Sequence, residues 1–479
     1  VTQTLDRLFD HAETQPNAVA VVDGGHAITY AQFAKNLCQF IEALKRYNLA
    51  KGDMVAVEWF RLYPHWLFLL ACEALGYRCL SFGRDDMESV EPFLRVHAKL
   101  VIASSPIPDV KEENIFLFTA EKFNHITQSE INYQKPVSIL GPHDPMRLQC
   151  SSGTTGKPKF MERNLVLHNF RINQLQEKDQ YRKDSRLLLA YNFAVQANYG
   201  RATACLEAGG CTIHPESQSV IENLIKYSAT HITLLPTTLR QLLDLLPKDF
   251  KHPKDFTLST FGGRIPAHLR QQAIEKLADK IVESYGTNET GSICTMIDGE
   301  LGYILPNVEV EVVDDYDQPV LNQTGRIRIR GQGLVDGYLD DLVNTAEKFK
   351  EGWFYPGDVG LKPDEQHLRL QGRSDDLINI GGVKKLIPEL EEFIRPKIHV
   401  EDFCICETKS HKNEQLIWLC IVPNKQTNID EIKAIVAPLT QNTLGKIILK
   451  SVNKIPRTST NKIKRQELAE FLSKENIQN

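Results

Sequence analysis

The chain has 479 residues, 42% of them hydrophobic and 24% charged, with a formal net charge of −5. That length and composition suffice for a buried core without disulfide or metal staples, and they exclude disordered and fibrous classes. The small net charge excludes a binder of polyanions that works by bulk electrostatics, although a local basic patch stays possible. The charge is uneven: from Asp376 onward, 16 basic residues face 13 acidic ones, so the tail is positive and the rest negative. The ten cysteines are scattered without a C-x-x-C pair, a usage expected of free buried thiols in a reducing compartment. Charged Asp6 and Arg7 stand where a secretory signal would be apolar. The longest apolar stretch, Trp66 to Tyr77, is interrupted by Glu73 and falls short of the ~20 residues of a membrane span. A cytoplasmic protein with no membrane span is the expectation.

In chain order, Ala18–Val22 reads as a strand. Tyr30–Arg46 then places Phe33, Leu37, Phe40, Ile41 and Leu44 on one helical face. Strand Met54–Trp59 precedes a helix over Trp66–Leu75, and strand Lys99–Ala103 follows. Met146–Cys150 and Leu187–Ala190 read as strands, the latter followed by a helix through Ala202–Leu206. Strand Ile232–Leu235, helix Thr238–Leu246, strand Leu258–Phe261, helix Ala267–Leu277 and strand Ile281–Tyr285 complete the alternation. Such alternation predicts an α/β fold of parallel sheets covered by helices, with ligand sites beyond the strands' carboxyl ends. From Val308 the pattern changes to short antiparallel strands, Val308–Val313 and Arg326–Arg330. A small α+β unit is expected after Gly372-Arg373-Ser374-Asp375-Asp376. It carries a helix over Pro388–Ile394, strands Phe403–Cys406 and Leu416–Val422, and a helix over Glu431–Leu439. The predicted division is a large unit over residues 1–374 and a small one over 376–479, with Asp375 as a tight hinge between them.

After Met146–Cys150 come Ser151-Ser152-Gly153-Thr154-Thr155-Gly156-Lys157-Pro158-Lys159. Glycines that allow tight turns with inward amides, hydroxyls that donate to oxygen, and lysines that supply charge together suit an oligophosphate. Pro158 after Lys157 breaks the Walker A pattern. A merely polar, glycine-rich loop is the alternative.

This loop resembles the signature of the adenylate-forming superfamily: acyl- and aryl-CoA synthetases, nonribosomal peptide synthetase adenylation domains and luciferases. Further segments resemble that family's motifs in order. Tyr285-Gly286-Thr287-Asn288-Glu289-Thr290-Gly291 resembles Y-G-x-T-E. Trp353-Phe354-Tyr355-Pro356-Gly357-Asp358 resembles W-x-x-T-G-D, with Pro356 in place of Thr. Gly372 to Asp376 resembles the hinge motif. Pro456-Arg457-Thr458-Ser459-Thr460-Asn461-Lys462-Ile463-Lys464-Arg465 resembles P-R-T-x-x-G-K-x-x-R, with Asn461 in place of Gly.

The resemblance implies ATP-dependent activation of a carboxylic acid to an acyl-adenylate with release of pyrophosphate, then thiol attack to give a thioester. It implies Mg2+ on Glu289, an α-phosphate contact from Thr287, and Lys462 as the adenylating lysine. ATP would be held by Ser151, Ser152, Gly153, Thr154, Thr155, Gly156, Lys157, Lys159, Gly263, Arg264, Tyr285, Gly286, Asp358 and Arg373. Asp358 would accept both ribose hydroxyls, which suits two acceptor oxygens; in isolation it is equally a turn residue. Gly381 and Gly382 correspond to the pantetheine tunnel, where backbone without side chains lets a thin ligand pass; an ordinary hairpin turn is the alternative. Lys446 to Arg465 holds seven basic residues and no acid. Read alone this is a nucleic-acid patch. It lacks interleaved aromatics, so a loop presenting one lysine is preferred and no nucleic-acid partner is expected.

Amino-acid-activating members place an aspartate after the strand equivalent to Leu187–Ala190. Here Tyr191-Asn192-Phe193 follows, and Asn192 cannot neutralise an ammonium, although it can hydrogen-bond a hydroxyl or its own backbone. Tyr191, Asn192, Phe193, Phe261 and Gly262 form the expected substrate pocket, with Phe261 too bulky for long acyl chains. The expected substrate is an aryl or short-to-medium acyl acid, and the acceptor is coenzyme A or the phosphopantetheine of a separate acyl or aryl carrier protein. Two alternatives remain: an ATP-binding homologue without ligase activity, suggested by Asn461, Pro356 and Arg326, and an enzyme for longer fatty acids.

Overall fold

The computed structural model describes residues 3–83, 93, 95–137, 139–152, 158–215, 219–247, 250–380, 383–409, 415–437, 447–457 and 463–476. Two large sheets organise it. The first runs, in spatial order, Ile115–Leu117, Ala98–Ala103, Met54–Glu58, Arg78–Phe82, Pro145–Ser152 and Pro158–Asn164. Its neighbours are parallel except for the final pair, an antiparallel hairpin. The second contains a parallel run of Val19–Asp23, Cys211–His214, Arg186–Leu188, His231–Leu234, Thr257–Thr260 and Lys280–Thr287. Beyond Thr287 the chain turns back, and Gly291–Met296 begins an antiparallel extension that includes Val308–Val313 paired with Gly325–Gly331. The mixed α/β architecture expected from the alternating pattern is what the chain adopts.

Helix boundaries depart from expectation where polar or proline residues interrupt the apolar pattern. The helix expected from Trp66 begins at Leu62 and runs to Ala74, with every residue buried. Pro64 lies in its first turn, where a missing N–H costs no helical hydrogen bond. Burial on all sides is what its nearly unbroken apolar sequence dictates. No helix among the described residues is long and apolar enough to cross a membrane. The tail helix runs Ile429–Val436, capped by Asn428, whose side chain accepts from the Asp430 and Glu431 amides.

Several helices were not expected, among them Gln3–Thr14, Ala120–Thr127, Val220–Lys226, Leu342–Lys348 and Arg465–Asn476, and the one that bears on the site is Leu165–Asp179. Asn164 caps it by accepting from the Leu167 amide at 2.9 Å. Its buried positions include His168, Arg171 and Asp179 as well as Leu167 and Ile172, so no clean apolar stripe marks it in sequence.

After Asp376, Ile378, Ile387, Leu390, Ile394, Phe403, Ile405 and Leu419 form a separate apolar core. It is locked by Arg465, which donates to both oxygens of Glu391 at 2.8 Å and to the Ile405 carbonyl at 3.1 Å.

Candidate functional site

The carboxyl ends of parallel strands in both large sheets carry the residues singled out in the sequence. Pro145–Ser152 ends at the phosphate-type loop, Lys280–Thr287 at Asn288-Glu289, Thr257–Thr260 at Phe261-Gly262-Gly263, and Arg186–Leu188 just before Tyr191. Crevices at such ends are the usual ligand sites of open parallel sheets.

On one side lies a carboxylate held from two directions. The Tyr285 hydroxyl donates to Asp358 Oδ2 at 2.5 Å, and Arg373 Nη1 donates to Asp358 Oδ1 at 3.0 Å. Asp358 and Arg373 face each other as register partners of an antiparallel ladder, so their meeting follows from strand pairing. Arg373 Nη1 also donates to the Pro356 carbonyl at 2.9 Å, and Ser374 Oγ to that of Gly357 at 2.9 Å. Gly357 has φ +82°, which a side chain would strain. Burial, reinforced by the Asp358 charge, pushes the Tyr285 phenol well above its ordinary range, so it remains a donor. A carboxylate offers about four lone-pair sites, so Asp358 retains acceptors for two more hydroxyls.

Next to it is the Thr287-to-Gly291 turn. The Thr287 hydroxyl is 3.0 Å from that of Thr290 and accepts from the Thr290 amide at 3.1 Å, so it serves the turn. Laid position by position on Y-G-x-T-E, Tyr285 to Glu289 puts Asn288, not Thr287, at the threonine place. Asn288 is exposed. Glu289 Oε1 accepts from the Tyr338 hydroxyl at 2.9 Å. Lys159 lies 4.9 Å over the Tyr338 ring and donates to Asn344 Oδ1 at 2.9 Å.

Arg171 secures this turn from the Leu165–Asp179 helix. Its guanidinium donates to the carbonyls of Asn288 at 3.0 Å, Glu289 at 2.7 Å and Gly333 at 2.7 and 3.1 Å. Burial draws it down to about 10, opposed by the Glu289 charge. Lys178, two turns further on, donates to Ser284 Oγ and Ser292 Oγ, each at 3.0 Å. Burial pulls its ammonium down to about 8; Arg201 pushes the same way and Asp179 opposes.

On the acid side, Tyr191 Oη accepts from the Leu235 amide at 2.9 Å and donates to Thr238 Oγ1 at 2.8 Å. Its ring meets Phe261 edge-on at 5.7 Å. Asn192 Oδ1 accepts from the Ala194 amide at 3.0 Å and, more weakly, from that of Val195 at 3.4 Å. Its carbonyl thus serves the local backbone and its NH2 is the end left for a ligand. Phe193 departs from expectation: it is 1% exposed and packs on Trp66, Trp59 and Tyr199 with centroids at 5.3 to 5.5 Å. It backs the site from within the core and does not line a pocket. Gly262 has φ +77°, and a Cβ there would meet Leu235 Cδ2 at 2.8 Å. Beyond Gly263, Arg264 is tied to Glu300 Oε1 at 2.6 Å on the surface.

A family model described as "AMP-binding enzyme" matches residues 8–339. The chain belongs to this family, within the adenylate-forming superfamily. Among curated relatives it is 21% identical to an indoleacetate–CoA ligase of Aromatoleum aromaticum, over 99% of this chain and 98% of that one. It is 23% identical to the fatty acid–[acyl-carrier-protein] ligase MmaC of Mycobacterium marinum, over 97% of each. It shares the fold of ATP-bound MatB from Rhodopseudomonas palustris, with TM-score 0.84 and 18% identity over 99% of this chain and 100% of that one.

For an AMP-binding enzyme the donor set fits magnesium. Mg2+ is commonly held by one or two carboxylates plus substrate phosphates and water. Glu289 offers such a carboxylate, with one oxygen steadied by Tyr338. Gly153, Thr154, Thr155, Gly156, Lys157, Gly381, Gly382 and Lys462 lie outside the described residues. Ser151 and Ser152 are the last residues of their strand, paired in register with Lys159 and Pro158. Asp375 is central in a single turn of 3-10 helix, Ser374–Asp376. Of the family-pattern departures, Arg326 is a surface residue bonded to Asp317 Oδ1 at 3.0 Å and the Asp314 carbonyl at 2.9 Å.

Proposed function

We propose that this protein is an ATP-dependent carboxylic acid:thiol ligase acting on a non-amino acid of aryl or short-to-medium acyl type. The observation that carries the reading is a clamped acceptor, Asp358, tied through Tyr285 to the Asn288-Glu289 turn at the carboxyl end of a parallel strand. In the first half-reaction an oxygen of the acid's carboxylate attacks the α-phosphorus of ATP, and the bond to pyrophosphate breaks. Asp358 accepts the ribose hydroxyls while Arg373 and Tyr285 fix its position. The Asn288 amide and Lys462 supply donors where charge develops on the α-phosphate, where one preorganised donor is worth on the order of 10²–10³ in rate. Glu289 would hold Mg2+, which screens the phosphate charge. In the second half-reaction a thiol attacks the acyl carbonyl, forming the thioester and releasing AMP. Coenzyme A or a carrier protein's phosphopantetheine fits as the acceptor, in keeping with the names of the relatives.

Asn192 in place of a carboxylate argues against an amino-acid substrate, and the Tyr191–Phe261 contact narrows the space beyond it. ATP–pyrophosphate exchange over a panel of aryl, acyl and amino acids tests the reading. Exchange driven by non-amino acids, lowered about 10²–10³-fold in Lys462→Ala, supports it. Exchange with amino acids alone, or none with any acid despite bound ATP, overturns it.

A further inference from the structure

Lys178 has a position that its role in the fold does not explain. An ammonium carries three N–H donors, and two of them are used by Ser284 and Ser292. Among the described residues no carboxylate forms an ion pair with it; its neighbour Asp179 is instead paired with Arg201 at 2.8 Å. A buried cation is costly, and the charge of the neighbouring Asp179, shared with Arg201, does not outweigh the burial that lowers its proton affinity.

Strand register shows which space this ammonium faces. Ser292 pairs with Gly286, two residues from Ser284, so both serines lie on the same face of the sheet. The parallel ladder pairs Thr260 with Glu283, and the next residues along the two chains are Phe261 and Ser284. Carried one residue past the paired end, that register sets Phe261 beside Ser284, about 5 Å away by the spacing of neighbouring strands. Ser259, two residues before Phe261, confirms the side: its hydroxyl donates to Asp179 Oδ1 at 3.0 Å, on the helix that carries Lys178. Tyr191 meets Phe261. The lysine therefore opens on the same space as Tyr191, Asn192 and Phe261.

We propose that Lys178, presented by Ser284 and Ser292, is a specificity-determining residue that pairs with a second anionic group on the substrate, so that the acid activated is a dicarboxylate or an equivalent twice-acidic molecule. The inference rests on the ligase reading above and narrows its substrate class. The far carboxylate takes the third N–H of Lys178 and adds a direct ion-pair partner, while the near one is adenylated.

The test compares acids matched in shape: succinate, glutarate and adipate against butanoate, pentanoate and hexanoate, and terephthalate against para-methylbenzoate. ATP–pyrophosphate exchange is measured for the wild type, Lys178→Met and Lys178→Gln, the latter retaining hydrogen bonds to the serines. The expected result is a wild-type preference for dicarboxylates of about ten- to a hundredfold, the size of a charge-assisted hydrogen bond. That preference disappears in both variants, while exchange with monocarboxylates persists. The same ranking in all three proteins, or a wild-type preference for monocarboxylates, overturns the proposal. If no acid supports exchange, the ligase reading fails, and calorimetric binding of adipate and terephthalate decides Lys178 separately. Tighter binding by the wild type than by the variants supports it; equal binding, or none, overturns it.

Discussion

Tyr285 and Asp358, 73 residues apart in sequence, are joined by a hydrogen bond of 2.5 Å from phenol to carboxylate. The bond links the Y-G-T-N-E turn to the W-F-Y-P-G-D turn, so two segments read separately in the sequence form one unit, the nucleotide platform of the proposed ligase. Tyr285→Phe removes the donor and keeps the ring. Loss of a hydrogen bond to a charged group costs ~1.5–3 kcal/mol. The expected outcome is a KM for ATP raised about tenfold or more, with the fold intact by circular dichroism. An unchanged KM would mean that Arg373 alone positions Asp358.

Arg171 is the second test. Its planar fork spans the carbonyls of Asn288, Glu289 and Gly333, which a lysine's point charge cannot do. Arg171→Lys should lower kcat and also the melting temperature, since each buried carbonyl left without a donor costs ~1–3 kcal/mol. A variant with wild-type turnover would show that the Asn288-Glu289 turn holds its shape unaided.

Glu207 gives a prediction in pH. Its carboxyl accepts from the Thr4 hydroxyl and the Gln3 amide, each at 2.7 Å, and burial outweighs those bonds to raise its pKa from 4.5 to about 7. Folding therefore favours the protonated form. Stability from this group is full below pH ~4.5 and declines as pH rises through about 7, by about 3 kcal/mol in all. Urea titrations of Glu207→Gln should match the wild type near pH 4.5 and exceed it at pH 8. Parallel curves across that range would refute the assignment.

Asp375 concerns the passage between half-reactions. Lys462, proposed above to act in adenylation, and the Gly381-Gly382 segment both follow Asp375 in the sequence, so one fixed arrangement is not expected to present both to a single small site. Rotation at the boundary would let it do so. Proline at 375 fixes φ near −65° and restricts Ser374 as well. Asp375→Pro is expected to retain pyrophosphate exchange and lose thioester formation. Wild-type rates for both would place the turning point elsewhere.

The sequence announced the parallel sheets well, because their strands are short apolar runs separated by periodic helices. It also showed Asp358, Arg373 and Glu289, each embedded in a dense local motif. It concealed the Leu165–Asp179 helix, because His168, Arg171 and Asp179 occupy positions where an apolar stripe would be sought. Arg171 and Lys178 were lost with it. Phe193 misled for a different reason: strand alternation cannot be followed past Leu188, where the strand ends, so its inward direction was invisible. On the Y-G-x-T-E pattern the threonine place falls on Asn288, one residue after Thr287.

The pairing of Val19–Asp23 with Cys211–His214 has a consequence for how the chain is made. Val21 sits opposite Thr212, so a strand from near the start of the chain pairs in parallel with one roughly 190 residues later. During synthesis at about 5–20 residues per second, Val19–Asp23 waits on the order of ten to forty seconds for its partner. Throughout that interval a Val-Ala-Val-Val edge is available to the wrong neighbour. Expression yield should therefore depend on temperature and on chaperone supply more steeply than the stability of the finished protein does.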